Sequence, residues 1–155
     1  APFHFVPDGK TIDSLPLDLF IGPVLVCSVD AKKYIMEEHV INLNLDGMSR
    51  VLFKTRNSRL LHLPHYDPEF TAFSLKAAEL LVRRGVKLVG LDYLSVAHAD
   101  EQTPVHRAFL DHGVALLEGV DLSAISPGFY ELICFPIRLR GSDGAPCRAV
   151  LRDLQ

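Results

Sequence analysis

Short apolar runs bounded by turn residues recur along the chain and predict strands that are buried on both faces. They lie at residues 24–29, 50–55, 86–91, 113–118 and 129–135. Residues 137–140 alternate apolar and basic side chains, which predicts a half-exposed strand, and residues 147–151 are expected to close the sheet. The pattern therefore predicts one sheet built from several short strands.

Two helices stand out between these strands. Residues 75–84 carry apolar side chains at helical spacing after Ser74, a good N-cap, and before Gly85, a helix stop. Pro104 can open a second helix, which Gly113 can end because glycine adopts the left-handed conformation at low cost. Each helix returns directly into a strand. Two such returns predict a layered α/β fold with polar groups gathered at one edge of the sheet.

The remaining segments are shorter or less regular. We expect a loop and a turn at residues 1–10, one short helical turn or an irregular cover at 11–21, a short polar helix at 31–38, and a strand or a helix edge at 40–45. Residues 56–73 contain two prolines and predict a long irregular connection. Loops of that length often carry function or cover a site.

Composition limits the possible functions. The 155 residues suit one domain, and 48% hydrophobic with 23% charged residues is typical of a globular protein. A formal charge of −3 and scattered basic residues give no general attraction to nucleic acid or to an anionic membrane. The three cysteines, Cys27, Cys134 and Cys147, form no disulfide framework and indicate a reducing compartment. Cys27 and Cys134 lie in apolar runs, where we expect them to be buried.

Candidate chemistry begins with His106 and Glu118, which belong to the second helix and to the strand after it. From His106 to His112 a helix rises about 9 Å, and the following strand returns at about 3.3 Å per residue. The two side chains are therefore expected near one edge of the fold. An imidazole and a carboxylate both offer lone pairs to a divalent cation. Both residues are also common as solvated surface side chains, so the pair alone leaves the two interpretations open.

Other histidines are less informative by themselves. His4 stands between Phe3 and Phe5, where it is either packed as a structural residue or placed as a base at the edge of a pocket. His62 and His65 are separated by a proline that prevents a helical pair of ligands, so we expect a solvated loop there. The chain has no Gly-x-Ser-x-Gly elbow that would indicate a serine hydrolase.

Four blocks of sequence carry a family resemblance. They are Ala-Pro-Phe-His-Phe at 1–5, Gly-Leu-Asp-Tyr-Leu-Ser-Val at 90–96, Pro-Val-His at 104–106 with Glu118-Gly119, and Leu-Arg-Gly-Ser-Asp-Gly-Ala-Pro-Cys-Arg-Ala at 139–149. In this order they resemble the cyclase family of metal-dependent hydrolases, which includes bacterial kynurenine formamidase and isatin hydrolase. The first block matches the end of the family motif His-x-Gly-Thr-His-x-Asp-x-Pro-x-His.

The resemblance implies an α/β fold and a set of site residues. The expected fold is a layered, swivelling β/β/α-type domain over residues 1–155, with a mixed central sheet flanked by helices. The implied site consists of the catalytic proton-transfer residue His4, the metal ligands His106 and Glu118, the supporting carboxylate Asp92, and the substrate-pocket residues Phe3 and Phe5.

The implied activity is hydrolysis of a small-molecule amide or cyclic amide with zinc or manganese, as kynurenine formamidase acts on N-formylkynurenine in tryptophan catabolism. A cytoplasmic homo-oligomer, a dimer or a tetramer, is also implied, in which residues 56–73 reach a neighbour or fold back on their own subunit. The family motif has three further ligands just before the position of Ala1, so we expect that residues are missing there. The alternative is a catalytically inactive domain that serves in binding or oligomerisation.

Overall fold

A six-stranded sheet organises the part of the chain that the computed structural model describes, residues 1–154. The strands are β1 Ile21–Ser28, β2 Tyr34–Ile35, β3 Arg50–Lys54, β4 Ala72–Phe73, β5 Leu88–Leu91, β6 Ala115–Glu118, β7 Gly128–Ile133 and β8 Val150–Asp153. The helices are α1 Glu37–Ile41, α2 Asn57–Leu60, α3 Leu75–Arg83 and α4 Gln102–Leu110, and short 3₁₀ turns occupy Pro2–His4, Ile12–Ser14 and Leu17–Phe20.

The strand order is β6-β5-β3-β1-β7-β8, and β2 and β4 form a separate two-stranded sheet. β1, β3, β5 and β6 run parallel to one another, whereas β7 pairs antiparallel with both β1 and β8. This confirms the predicted layered α/β fold with a mixed central sheet flanked by helices. The carboxyl ends of the four parallel strands meet at one edge, where open α/β sheets place their ligand sites.

Two apolar clusters cover the two faces of the sheet. On one face α1, α3 and α4 pack against it, with Leu81 and Phe109 fully buried. On the other face the segment before β1 supplies Ile12 and Phe20, which pack against sheet residues such as Leu132. This opening segment, residues 1–20, is therefore part of the core. Burial of a side chain of this size contributes about 1.5–3 kcal/mol, which ties residues 12–20 to the sheet.

Helix boundaries follow the predicted signals with one difference. The Ser74 hydroxyl accepts a hydrogen bond from the Ala77 amide (3.2 Å), and Gly85 has a φ of 80°, so α3 is capped and stopped as predicted. α4 begins at Gln102 rather than at Pro104. Pro104 is tolerated there because the first-turn amides of a helix have no partner within the helix. No helix within residues 1–154 is both long and apolar enough to span a bilayer.

Two local predictions were wrong. Residues 31–38 contain β2, and the short helix begins only at Glu37. Residues 137–140 form no strand, since Pro136 lacks an amide proton for the ladder and makes only an isolated bridge with Cys147. Ile137 is consequently 57% exposed. The closing strand is β8, which resumes antiparallel pairing with β7 beyond that interruption.

The long connection between β3 and α3 mostly folds back on its own subunit. Phe70 is fully buried against Tyr93, and Leu60 and Leu61 pack on the same cluster. Tyr66 stacks on Tyr93 but remains about half exposed. The alternative in which the segment returns to its own core therefore describes its buried part, and the exposed residues around Tyr66 remain available to a neighbour.

Candidate active site

His106 and Glu118 come together at the carboxyl edge of the sheet. His106 Nε2 lies 3.7 Å from Glu118 Oε1, as the helix-to-strand geometry predicted. The imidazole is buried, with 4% of its surface exposed. Its Nδ1 lies 2.8 Å from the Gln102 carbonyl oxygen. A carbonyl oxygen only accepts hydrogen bonds, so Nδ1 carries a proton and Nε2 is the ring nitrogen that faces the carboxylate.

Backbone groups fix the position of Glu118. Its Oε1 accepts a hydrogen bond from the Val96 amide (2.9 Å). The next residue, Gly119, has a φ of 72° and donates its amide proton to the Tyr93 carbonyl (2.7 Å). The loop after β5 thus holds the end of β6 at both the side chain and the main chain. Glu118 keeps Oε2 for a further interaction.

The opening segment brings two rings to this pair. The ring of Phe5 stacks on the imidazole of His106, with centroids 4.4 Å apart and an interplanar angle of 26°. His4 lies edge-on to Phe5 (4.6 Å), and its ring centroid is 6.2 Å from that of His106. His4 is half exposed. The structure therefore places the predicted proton-transfer residue beside the predicted ligands, and Phe5 packs against one of these ligands.

Asp143 is a site residue that sequence reasoning missed. Its Oδ2 lies 2.6 Å from His4 Nδ1. The hydrogen bond from His4 holds the pKa of the Asp143 carboxyl below its ordinary value. Ser-Asp within a glycine-rich turn was the available signal, but Asp143 is 139 residues from His4 in the sequence. No local pattern links residues so far apart.

A cavity of about 440 Å³ opens on these groups. It is lined by His4, His106, Glu118 and Asp143 together with apolar residues from three segments, Ile12, Phe20, Leu110, Leu116, Leu117 and Cys134 among them. A neighbouring cavity of about 580 Å³ shares Leu117, Glu118 and Cys147 with it. Phe3 is 45% exposed, and neither Phe3 nor Phe5 lines either cavity. The apolar wall therefore comes from the sheet and from the segment before β1.

Asp92 lies at the end of β5 and is completely buried. Its carboxylate accepts four hydrogen bonds, from the amide and hydroxyl of Thr55 and from the amide and hydroxyl of Ser58, at 2.7–3.0 Å. These contacts hold the turn after β3. Asp92 has no hydrogen bond to His106 or Glu118 within residues 1–154, so an effect on the pair would pass through the backbone of the adjoining Tyr93.

His106 and Glu118 offer part of the donor set that a divalent cation requires. Zinc bonds to nitrogen and oxygen are about 2.0–2.2 Å long, so one ion can contact two donor atoms that lie 3.7 Å apart. Two facing lone pairs repel each other unless a proton or a cation lies between them. Over the described range, 1–154, no group of three His, Cys, Asp or Glu side chains is arranged to hold a metal. The pair alone is therefore one donor short of the three protein ligands of a catalytic zinc site.

The other candidate groups take structural positions. His62 is largely exposed and pairs with Asp121 (3.1 Å), in agreement with the predicted solvated loop. Cys27 and Cys134 are buried as predicted, and burial raises the pKa of each thiol to about 12. Cys147 is a free thiol at the boundary of the two cavities.

Comparisons with known proteins agree on one family. The family model named Cyclase matches residues 1–98. The chain is 40% identical over 155 residues to a kynurenine formamidase of Salinibacter ruber, and 34% identical over 156 residues to one of Bacillus cereus. In both cases the match covers 99% of this chain and 73% of the relative.

Solved structures show the same fold. A potential metal-dependent hydrolase with cyclase activity superposes with a TM-score of 0.91 at 30% identity, over 100% of this chain and 76% of that one. Isatin hydrolase A from Labrenzia aggregata superposes with a TM-score of 0.79 at 19% identity, over 97% of this chain and 70% of that one. At this identity the second likeness concerns the fold alone.

Proposed function

We propose, from the premise that this chain belongs to the cyclase family of metal-dependent hydrolases, that it hydrolyses a carbon–nitrogen amide bond in a small molecule. The observation that carries the proposal is the pairing of a buried imidazole nitrogen with a carboxylate oxygen at 3.7 Å, beside a second histidine. Imidazole and carboxylate are the donor types of hydrolytic zinc sites. N-formylkynurenine is the substrate we would test first, because the relatives named above are kynurenine formamidases.

His106 and Glu118 would hold zinc or manganese, which when bound supplies an activated water and polarises a substrate carbonyl. Hydrogen bonds to the backbone orient both side chains. The Gln102 carbonyl selects the ring nitrogen of His106 that faces the cavity, and the Val96 amide holds one oxygen of Glu118. Such outer contacts keep ligands in a fixed geometry.

His4 is the proposed proton-transfer residue. An imidazole titrates near neutral pH, so it can take a proton from water and return it to a leaving nitrogen. His4 lines the same cavity as His106 and Glu118. Phe5 packs against both histidines and covers one face of the His106 ring. The apolar side of the cavity, formed by residues such as Phe20 and Leu117, suits an aromatic or cyclic amide.

The proposal extends to assembly and compartment. We propose a cytoplasmic homo-oligomer, a dimer or a tetramer, with the exposed residues around Tyr66 at a subunit contact. Three free thiols support a reducing compartment, and the exposed apolar side chains of Leu63, Tyr66 and Leu94 support the contact. Light scattering of the purified protein measures the mass of the assembly, and a monomer at micromolar concentration contradicts this part.

Metal content and hydrolysis test the proposal together. The Ala1 amino group lines the cavity, so residues joined to it would lie beside the pair. We therefore compare the chain as printed with the same chain preceded by a His-x-Gly-Thr-His-x-Asp segment. The extended chain is expected to bind zinc or manganese and to release formate from N-formylkynurenine. Both properties should be lost in His106→Gln and in Glu118→Gln.

The matched control is His62→Gln, which changes an exposed histidine outside the cavity and should leave metal content and hydrolysis unchanged. Circular dichroism confirms that each variant is folded. Equal metal content in the His106→Gln and Glu118→Gln variants and in the parent would refute the site.

A non-catalytic binding or oligomerisation module is the second candidate function. It is favoured by the donor count, since residues 1–154 contain no group of three side chains arranged to hold a metal. Two protein ligands compete poorly with water and buffer for an ion. Absence of both metal and hydrolysis in the extended chain would select this candidate.

A further inference from the structure

We infer that Asp143 is the positioning residue of His4, which it fixes in the tautomer with the proton on Nδ1 and the lone pair on Nε2. The inference rests on the proposed function only for its effect on catalysis. Its structural content is the orientation and protonation state of one ring, which can be measured without metal or substrate.

In the neutral ring, the geometry leaves one arrangement of protons. His4 Nδ1 and Asp143 Oδ2 are 2.6 Å apart, the distance of a charge-assisted hydrogen bond. An ionised carboxylate only accepts hydrogen bonds, so Nδ1 must donate. The opposite tautomer would bring two lone pairs together at that distance. The lowered pKa of Asp143 keeps its carboxyl ionised at neutral pH.

The turn that carries Asp143 is held independently of His4. The Ile12 amide donates to the Ser142 carbonyl (2.9 Å), and the Gly141 amide donates to Asp13 Oδ1 (3.0 Å). These two bonds between the opening segment and residues 141–142 fix this turn. The carboxylate does not need the histidine to reach its position, so it can serve as an orienting group.

This assigns the working atom of His4. With Nδ1 committed to Asp143, the only ring nitrogen able to take a proton in the shared cavity is Nε2. A base held by a third group in this manner is the arrangement that activates nucleophiles in many hydrolases. His4 and Asp143 are 52% and 50% exposed, so solvent weakens the bond. We expect the tautomer ratio to change about fivefold without the carboxylate, which corresponds to about 1 kcal/mol.

Long-range ¹H–¹⁵N correlation spectra of the ¹⁵N-labelled chain measure the tautomer directly, at a pH where the imidazole is neutral. Signals of His4 are assigned by their loss in His4→Gln. In the parent, Nδ1 is expected to show the shift of a proton-bearing nitrogen and Nε2 that of an acceptor. In Asp143→Asn and Asp143→Ala the Nε2–H form should gain about fivefold. Ser142→Ala is the matched control, because it removes a hydroxyl from the same turn and keeps the carboxylate.

A proton mainly on Nε2 in the parent, or an unchanged ratio in Asp143→Ala, overturns the inference. A change in Ser142→Ala as large as that in Asp143→Ala also overturns it, because the shape of the turn would then be responsible. In the extended, hydrolytically active chain, Asp143→Asn should lower kcat by up to about fivefold, in step with the tautomer ratio, with little change in KM. A changed tautomer with unchanged kcat confirms the positioning of His4 and refutes its role in proton transfer.

Discussion

Replacement of Asp92 by alanine is expected to lower the free energy of unfolding by about 3–4 kcal/mol. Asp92 is completely buried, and its two oxygens accept four hydrogen bonds from the amide and hydroxyl groups of Thr55 and Ser58. Thr55 and Ser58 are themselves buried, so water does not readily replace the lost acceptor.

The magnitude follows from the number of donors left without a partner. Each buried donor that loses its acceptor costs about 1–3 kcal/mol. Four donors at the lower limit give about 4 kcal/mol, and a water entering the vacated space would recover part of this. Asp92→Asn keeps one acceptor oxygen. This oxygen can still accept from the three donors that share Oδ2 in the parent. The asparagine variant should therefore lose only about 1–2 kcal/mol.

Urea unfolding followed by circular dichroism is the assay, since the chain has no tryptophan for fluorescence. The loss is read from the midpoint at constant slope. Asp46→Asn, at an exposed turn, is the control and should change stability by less than about 0.5 kcal/mol. A loss below about 1 kcal/mol in Asp92→Ala, or an equal loss in both Asp92 variants, would show that the four hydrogen bonds do not stabilise the fold as argued.

Two further predictions follow from shifted pKa values. Because the pKa of Asp143 is lowered in the folded state, its stabilising contribution is present above about pH 4 and is lost as the pH falls through the lowered value. The difference in free energy of unfolding between the parent and Asp143→Asn, measured in urea, should therefore be larger at pH 6 than at pH 3. An equal difference at both pH values would contradict this. Burial raises the pKa values of Cys27 and Cys134 to about 12, so at pH 8 a thiol reagent should react first with Cys147, in a fast phase. Cys147→Ser should remove this fast phase. A fast phase that persists in the variant would show that the reagent reaches a buried thiol.

Local signals predicted most of the central sheet and both long helices. Ser74 and Gly85 delimit α3 through groups that act within one turn, and five apolar runs correspond to strands of the sheet. The placement of His106 and Glu118 at one edge of the fold was also predictable, because the helix after His106 runs away from that edge and the strand that ends at Glu118 returns toward it.

Prediction failed where tertiary contacts decide the outcome. β2 exists because Tyr34 and Ile35 pair with β4, nearly forty residues later in the chain, and no property of residues 31–38 reveals that partner. The alternation at 137–140 resembled a strand, but Pro136 interrupts the ladder. The pairing of His4 with Asp143 depends on the turn at 141–144 being held by the opening segment, which only the folded chain shows.

The span between His4 and Asp143 has a consequence for how the protein folds. Contacts between residues this distant in sequence carry a large closure entropy and tend to form late in folding. The central parallel strands can assemble from nearby segments, whereas the His4–Asp143 pair forms only when the two ends of the chain dock. In the extended chain, mild denaturant should therefore abolish the proposed hydrolysis before it disturbs the strands, and activity would report on completion of the native topology.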